Sequence, residues 1–206
     1  SCKVKLATFP LAERNAENDY PDTEETVWVE RLSPCHGIIR SVLYSEAMGV
    51  NYGDVILFDG APITYHTYGE DKIAVFPHLA TLRKNHYQLY DFAATQDENG
   101  AINAISEHLD SDAVIYSHTE NYHVLCNTCW NNQDLQHEHH DTEEKNVVTG
   151  KIAASAEMSP KDLLSQIDKA LRGKPENHVF SPALCKAAGY DGRAKIEKRR
   201  FNLLTS

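Results

Sequence analysis

The chain has 206 residues, is 41% hydrophobic and carries a formal net charge of −10 at pH 7. This acidic balance excludes a general nucleic-acid binder, because neutralising a phosphate backbone requires a positively charged surface. The longest apolar runs, such as Val55–Phe58, are too short to cross a bilayer, so the sequence predicts no membrane span. A chain of this length can bury one sizeable core, and we expect a single domain over residues 1–206.

The spacing of the five cysteines is not typical of a small disulfide scaffold, and their odd number leaves at least one thiol free unless two chains pair through it. Free thiols favour a reducing compartment, so the expectation is a cytoplasmic protein. The chain starts with Ser1-Cys2, which also matches the remainder of a cleaved lipoprotein signal. Lipoprotein or periplasmic localisation therefore stays open.

The first half of the chain is predicted to be rich in strands. Residues 11–26 are polar and contain Pro21, so we expect an extended N-terminal arm over residues 1–26. Alternation with period two and the density of β-branched and aromatic residues predict five strands, at residues 27–31, 55–58, 63–68, 73–76 and 87–92.

The second half mixes strands with helices. We expect a helix over residues 101–109, strands at 113–116 and 122–125, and a polar, solvated loop over 133–150. The clearest helix covers residues 160–171, with Ser159 as its N-cap, and a short helix follows at 182–188. The basic residues within 195–200 predict a solvated C-terminal tail. This order indicates an α+β fold with an antiparallel sheet and helices packed mainly on one side.

Reactive side chains are concentrated in residues 122–140, YHVLCNTCWNNQDLQHEHH. Thiols and imidazoles are brought together in proteins chiefly for metal ligation or for thiolate catalysis. In the metal interpretation, two cysteines separated by two residues bind one tetrahedral ion and histidines complete the site. The proposed ligands are Cys126, Cys129, and His137, His139 or His140. The histidine-rich part is also typical of a solvated acidic tract.

In the catalytic interpretation, Cys129 is the nucleophile. It follows a predicted strand and precedes a segment that can open a helix, and a helix N-terminus would stabilise a thiolate. The base must then come from another part of the fold. His66 is preferred because a strand holds an imidazole in place, and His78 or Asn127 would orient that imidazole or contribute to the oxyanion site.

The run GDVILFDGAPITYHTYGEDKIAVFPHL resembles the first half of the lecithin–retinol-acyltransferase-like group, a circularly permuted branch of the NlpC-like, papain-related thiol enzymes. The matching positions are Gly53-Asp54 before a strand, His66 in an aromatic strand, the Gly69-Glu70 turn, and His78. The second half of the group's pattern is matched by the helix over 101–109, by Tyr122 and by Cys129 seven residues later. The resemblance covers roughly residues 53–135. It implies a permuted papain-like fold with Cys129 as nucleophile and His66 as base.

Departures from the group's pattern concern the nucleophile. The asparagine that usually precedes the cysteine stands one place earlier, at Asn127, and Asn132 replaces an aromatic residue. In a rival, unpermuted alignment, PCHGIIRSVLYSEAMGV resembles the nucleophile helix of NlpC-like enzymes, with Cys35 as the thiol and His66 again as the base. The N-terminal third, YPDTEETVWVERL to GVNYGDVILF, also resembles an uncharacterised bacterial protein family, which implies a small α+β module.

We therefore expect a thiol-dependent hydrolase or an acyl or peptidyl transferase, acting on the carbonyl of a peptide, amide or acyl substrate without a cofactor. The first alternative is a non-enzymatic acidic interaction module, whose protein partner presents a basic face. The second alternative is a structural zinc-binding protein, with the ligands Cys126, Cys129, His137 and His139.

Overall fold

In the computed structural model, the described residues are 1–7, 24–98, 100–131 and 136–206. They combine strands and helices, which confirms the predicted α+β class. The chain divides into two compact units, Ser1–Tyr87 and Gln88–Ser206, each with its own hydrophobic core. The single domain expected over residues 1–206 stays a prediction. Within the described ranges, no helix is both long and apolar enough to cross a membrane.

The first unit is a small barrel that is closed by one parallel strand pair. Its strands are β1 (Cys2–Ala7), β2 (Glu24–Arg31), β3 (His36–Ile39), β4 (Val55–Phe58), β5 (Thr64–Tyr68) and β6 (Asp71–Arg83). They lie in the order β1-β2-β3-β4-β6-β5, and these neighbours pair antiparallel. Residues 3–5 of β1 also pair in parallel with residues 75–77 of β6. This pair closes β1, β2, β3, β4 and β6 into a ring.

Alternating side chains explain why these strands surround a core. Val4 and Leu6 of β1 are buried, as are Val27 and Val29 of β2. Successive residues of a strand point to opposite faces, so each of these pairs lies on the inner face of the barrel. Further buried members of this core come from the other strands: Ile39, Ile56, Phe58 and Phe76.

The Gly53-Asp54 turn that precedes β4 has a structural explanation. Gly53 has a φ of +82°, and an added Cβ would lie 2.6 Å from Cε2 of Tyr87, so glycine is required there. The buried Asp54 carboxylate accepts hydrogen bonds from the backbone N–H groups of Asn51 at 2.9 Å and Asn85 at 2.8 Å. These contacts give the GDVILF motif a structural role that does not depend on catalysis.

The second unit is a four-stranded antiparallel sheet with helices on both faces. Its strands are β7 (Gln88–Gln96), β8 (Ala113–Cys126), β9 (Thr142–Ala154) and β10 (His178–Phe180), in the order β10-β7-β9-β8. Its helices are α1 (Ala101–Ser106), α2 (Asn127–Asn131), α3 (Pro160–Ala170), α4 (Pro182–Ala187) and α5 (Asp191–Thr205). β8 is one long strand rather than the two short strands predicted, because a register shift between Ser117 and Thr119 lets it continue along β9.

The two faces of this sheet bury different residues. Phe92 of β7 and Ile152 of β9 belong to a core that also contains buried residues of α1, α3 and α4. Ala93 and Val147 point to the opposite face, where they pack with Leu204 of α5. Three helices thus contact one face of the sheet, and the C-terminal part of α5 packs on the other.

Helix α3 begins where the sequence predicts. The Oγ of its N-cap, Ser159, accepts a hydrogen bond from the Asp162 N–H at 3.1 Å, and Pro160 occupies the first turn. Leu163 and Ile167 of this helix are buried in the core that also contains Phe92 and Ile152. The local start signals of this helix are therefore confirmed.

Two expectations about irregular segments are corrected. Residues 2–7 of the expected N-terminal arm form β1, because Val4 and Leu6 are buried in the barrel, and residues 8–23 lie outside the described residues. The loop expected over 133–150 includes the first part of β9, where residues 142–150 pair with neighbouring strands. Residues 133–135 of that loop are also outside the described part of the chain.

The C-terminal basic segment is helical rather than a solvated tail, since residues 195–200 lie inside α5. Leu204 anchors this helix in the apolar face of the sheet. The buried carboxylate of Glu197 accepts hydrogen bonds from the Ser181 N–H at 2.7 Å and from Arg193 Nε at 2.6 Å. Because the charged Glu197 occupies a buried position of this helix, the hydrophobic pattern does not predict it.

Candidate metal centre

The loop between β8 and β9, residues 127–141, carries three of four possible metal ligands: Cys129, His137 and His139. The fourth, Cys126, is the last residue of β8. β8 ends at Cys126, which pairs with Thr142 at the start of β9. The chain then forms α2 and returns at Asp141, whose carbonyl accepts the Asn127 N–H at 2.9 Å. Backbone hydrogen bonds therefore hold both ends of the loop, of which residues 132–135 lie outside the described ranges.

Two thiols and two imidazoles converge at this loop. The donor atoms of Cys126, Cys129, His137 and His139 all lie within 4.8 Å of one another. His137 Nε2 lies 3.2 Å from Cys126 Sγ and 3.5 Å from Cys129 Sγ. His139 Nδ1 lies 3.6 Å from Cys129 Sγ. Cys126 is buried, Cys129 and His137 are half-buried, and His139 is exposed, so the cluster reaches from the sheet to solvent.

The separations between these atoms fit a tetrahedral ion. With zinc–sulfur bonds of about 2.3 Å and zinc–nitrogen bonds of about 2.05 Å, sulfur and nitrogen ligands at the tetrahedral angle lie about 3.6 Å apart. Three of the four sulfur–nitrogen distances, 3.2, 3.5 and 3.6 Å, lie at or just below this value, and the donor atoms lie within 4.8 Å of one another. The four side chains would therefore have to draw together by about 1 Å at the widest pair to surround one ion.

Backbone N–H groups stabilise the thiolate of one cysteine. The Cys129 N–H, aided by His137, His139 and the Thr128 N–H, outweighs the effect of burial and lowers the pKa of Cys126 from 9.0 to about 6. Burial and the neighbouring Cys126 sulfur raise the pKa of Cys129. These shifts favour the thiolate of Cys126 over that of Cys129, and a divalent metal would displace the proton of the Cys129 thiol.

Aromatic side chains pack behind the loop. Trp130 follows the candidate ligand Cys129, and its ring centroid lies 5.8 Å from that of His178 and 5.6 Å from that of Phe180 on β10. The Arg200 guanidinium of α5 lies 4.1 Å from the centroid of the Trp130 ring, in a cation–π contact. Trp130 therefore connects the cluster to β10 and α5. The sequence does not predict this packing, because its members are far apart along the chain.

His140, which the sequence offers as an alternative ligand, is directed elsewhere. Its Nε2 lies 2.6 Å from Glu138 Oε2, and both side chains are exposed. The rings of His137 and His139 instead pack edge to face, with their centroids 4.8 Å apart. The structure therefore brings His139, not His140, to the cluster.

The residues of the catalytic interpretation belong to both units. His66 lies half-buried on β5 and His78 half-buried on β6, in the first unit, and burial lowers the pKa of His78. Cys129 and Asn127 belong to the second unit, where Asn127 Nδ2 donates a hydrogen bond to Asp141 Oδ1 at 3.2 Å. The imidazoles placed close to Cys129 Sγ are those of the metal cluster. The catalytic roles of these four residues stay predictions.

The rival alignment through Cys35 is corrected in one respect. Cys35 is half-buried, and the residues that follow it form the strand β3 instead of the expected nucleophile helix. An added Cβ at Gly37 would lie 2.3 Å from the Glu30 carbonyl oxygen, so β3 lies directly against β2. The Phe58 N–H donates to the Cys35 carbonyl at 2.8 Å, which ties the same segment to β4.

Comparison of the chain with protein-family models, with curated proteins and with solved structures finds no match. The resemblances noted in the sequence therefore stay predictions. The chemistry of the described side chains carries the functional conclusion.

Proposed function

We propose that the protein binds one Zn²⁺ ion through Cys126, Cys129, His137 and His139, in a structural site that fastens the loop between β8 and β9. The observation that carries this proposal is the convergence of the four donor atoms, all within 4.8 Å of one another. Two sulfur and two nitrogen ligands in a tetrahedral arrangement are typical of zinc in proteins.

The number of ligands supports a structural role. Four protein ligands complete a tetrahedral shell, whereas catalytic zinc sites keep one position open for water or substrate. Cys126 lies at the end of β8 and His139 lies shortly before β9, so one ion would link the two ends of the loop. Such a link contributes folding free energy. A structural site also suits a non-enzymatic module, and the net charge of −10 favours a partner with a basic face.

The metal content of the protein tests the proposal. Untagged protein, purified without an immobilised-metal column, is expected to contain about one equivalent of zinc by inductively coupled plasma mass spectrometry. Cys129→Ser and His137→Ala are expected to lower this value severalfold, because each removes one ligand. His140→Ala is the matched control, since that imidazole faces Glu138 outside the cluster, and it is expected to retain the metal.

Two results would contradict zinc binding. One is less than about a tenth of an equivalent of any transition metal in the unsubstituted protein. The other is an equal loss of zinc in His140→Ala and His137→Ala. Reconstitution with Co²⁺ adds an independent readout, because thiolate-bound Co²⁺ absorbs in the near ultraviolet. This absorption is expected to disappear stepwise in Cys126→Ser and in the double variant with Cys129→Ser.

Thiol-dependent hydrolysis or acyl transfer, on a peptide, amide or acyl substrate, is the second candidate function. The observation that favours it is the distance of 3.6 Å between Cys129 Sγ and His139 Nδ1, because nucleophilic catalysis needs a thiol within reach of an imidazole. The raised pKa of Cys129 disfavours its thiolate, so this support is weaker. The predicted permuted papain-like arrangement, with helices mainly on one side, belongs to this candidate.

An activity-based thiol probe separates the two candidates. Metal-bound thiols are protected, so zinc binding predicts labelling of Cys129 only after chelation. A catalytic Cys129 is labelled in the protein as purified, and labelling is reduced in His66→Ala if His66 is the base. Labelling without chelation in a protein that also lacks zinc would favour the enzyme over the structural metal site.

A further inference from the structure

We propose that the groove between α4 and α5 binds a small amphipathic organic anion, whose charged group contacts lysines and whose apolar body lies on an apolar floor. The groove belongs to the second unit, and none of the four proposed zinc ligands lines it. Its volume is about 640 Å³. Small-molecule sites typically have volumes of roughly 300–1,000 Å³, so a ligand of ordinary size fits.

The floor of the groove is apolar and belongs to the packed part of the unit. Pro182 and Ala183 contribute from the start of α4, and Ala194 and Phe201 contribute from α5. Ala194 packs against the core that contains Phe92 and Ile152. Phe201 packs against the core around Leu204, on the opposite face of the sheet. Because both residues are held by cores, the floor is formed before a ligand arrives. Covering it with an apolar chain removes hydrocarbon surface from water.

The rim of the groove has an excess of positive charge. It carries three exposed lysines: Lys186, Lys195 and Lys198. In the part of the chain that the structure describes, no carboxylate forms an ion pair with any of these ammonium groups. Asp91 and Asp191 also line the groove, but Asp91 already lies 3.8 Å from Lys151 Nζ, and Asp191 lies in the first turn of α5, where the helix dipole favours a carboxylate.

Lys195 and Lys198 lie three residues apart on α5, and Lys186 lines the same groove from α4, so their like charges repel one another in a protein whose net charge is −10. A bound anion would relieve that repulsion. A cation would be repelled by the rim, and an inorganic anion would leave the apolar floor in contact with water. A carboxylate, sulfate or phosphate group on an apolar body satisfies both surfaces, which is why the proposal specifies an amphipathic anion.

Calorimetric titration of the full chain tests the proposal with decanoate as the probe. Decanoate is expected to bind saturably, with one site per chain. Decyltrimethylammonium, which has the same chain length and the opposite charge, is expected to bind at least about tenfold more weakly. The triple variant Lys186→Gln/Lys195→Gln/Lys198→Gln is expected to weaken decanoate binding by about tenfold or more.

The matched control Lys161→Gln/Lys169→Gln/Arg172→Gln removes the same charge from α3 and its end, outside the groove, and is expected to change the affinity less than about twofold. Ala183→Trp fills the exposed side of the floor and is expected to abolish binding. Equal affinity for the two probes, absence of saturation, or equal weakening in both triple variants would overturn the proposal. If a variant does not fold by circular dichroism, the two probes compared on the unsubstituted protein decide the question.

Discussion

The sulfur of Cys126 lies where a strand ends and a helix begins, and this position brings it close to the backbone N–H groups of Thr128 and Cys129. The thiol of Cys185 has the opposite environment. Its burial, together with the Glu197 carboxylate, raises the pKa of Cys185 to about 12. Environment therefore distinguishes the proposed ligand Cys126 from the core thiol Cys185, whereas residue type alone does not.

At the residue scale, we expect the thiols to differ in reactivity once metal has been removed by chelation. Cys126 is expected to react with iodoacetamide with a midpoint near pH 6, because its pKa is lowered to about 6. Cys129 and Cys185 are expected to react only at higher pH, because their pKa values are raised. Mass spectrometry of alkylated peptides, between about pH 5 and about pH 10, measures all three profiles.

The same shift predicts how the metal-free protein responds to acid. A pKa of about 6 in the folded state, against 9.0 in the unfolded state, stabilises the fold fully above pH 9. This contribution decreases as the pH falls and is absent below about pH 6. Cys126→Ser is expected to remove this part of the pH dependence. A Cys126 midpoint near its ordinary value would contradict the assigned environment.

At the element scale, the sequence predicts the elements whose signals are local. The bounds of β4, Val55–Phe58, are as predicted, and α3 begins after the predicted N-cap Ser159. The closure of the barrel joins residues 3–5 to residues 75–77, and no local pattern records such a contact. The sequence pattern likewise does not predict helix α5, because the charged Glu197 occupies a buried position where an apolar residue is usual.

The candidate metal centre was predictable as a set of ligands because all four lie in one short segment. The set Cys126, Cys129, His137 and His139 named for zinc is the set whose donor atoms converge, although residue type alone does not separate His139 from His140. The choice between these two depends on how the chain approaches β9 and on the contact between His140 and Glu138. The packing of Trp130 against Arg200 of α5 also required the structure, because it joins distant parts of the sequence.

The N-cap of α3 gives a prediction at this scale. Ser159→Ala is expected to lower the free energy of unfolding by about 1 kcal/mol, because the Asp162 N–H loses its acceptor. Ser165→Ala is the matched control: Ser165 is exposed within the same helix, and the change is expected to stay within about 0.5 kcal/mol of zero. Urea denaturation followed by circular dichroism measures both. Equal destabilisation by the two changes would contradict the capping role.

At the scale of the whole molecule, each unit contains one of the two tryptophans. Trp28 lies on β2 of the barrel, with the Lys3 ammonium 4.8 Å from its ring centroid. Trp130 lies beside the proposed zinc ligand Cys129, under the Arg200 guanidinium. The fluorescence of Trp28 therefore reports on the barrel, and that of Trp130 reports on the sheet that carries the proposed metal centre.

Metal removal is expected to change the fluorescence of one tryptophan only. In Trp28→Phe, where Trp130 is the remaining fluorophore, addition of a chelator is expected to shift the emission to longer wavelength as the loop loosens and the ring meets water. In Trp130→Phe, the same addition is expected to leave the emission unchanged. Equal changes in both variants would show that metal removal is not a local event at the loop.

During synthesis β1 leaves the ribosome well before residues 75–77 of β6 are made. The first strand of the barrel therefore has no parallel partner while the chain grows. During that interval β1 presents one unpaired edge, and unpaired edges are templates for pairing with other chains. Loss of β1 would in turn leave the outer edges of both β2 and β6 open. The barrel is therefore protected from aggregation only when its first and last strands are both present.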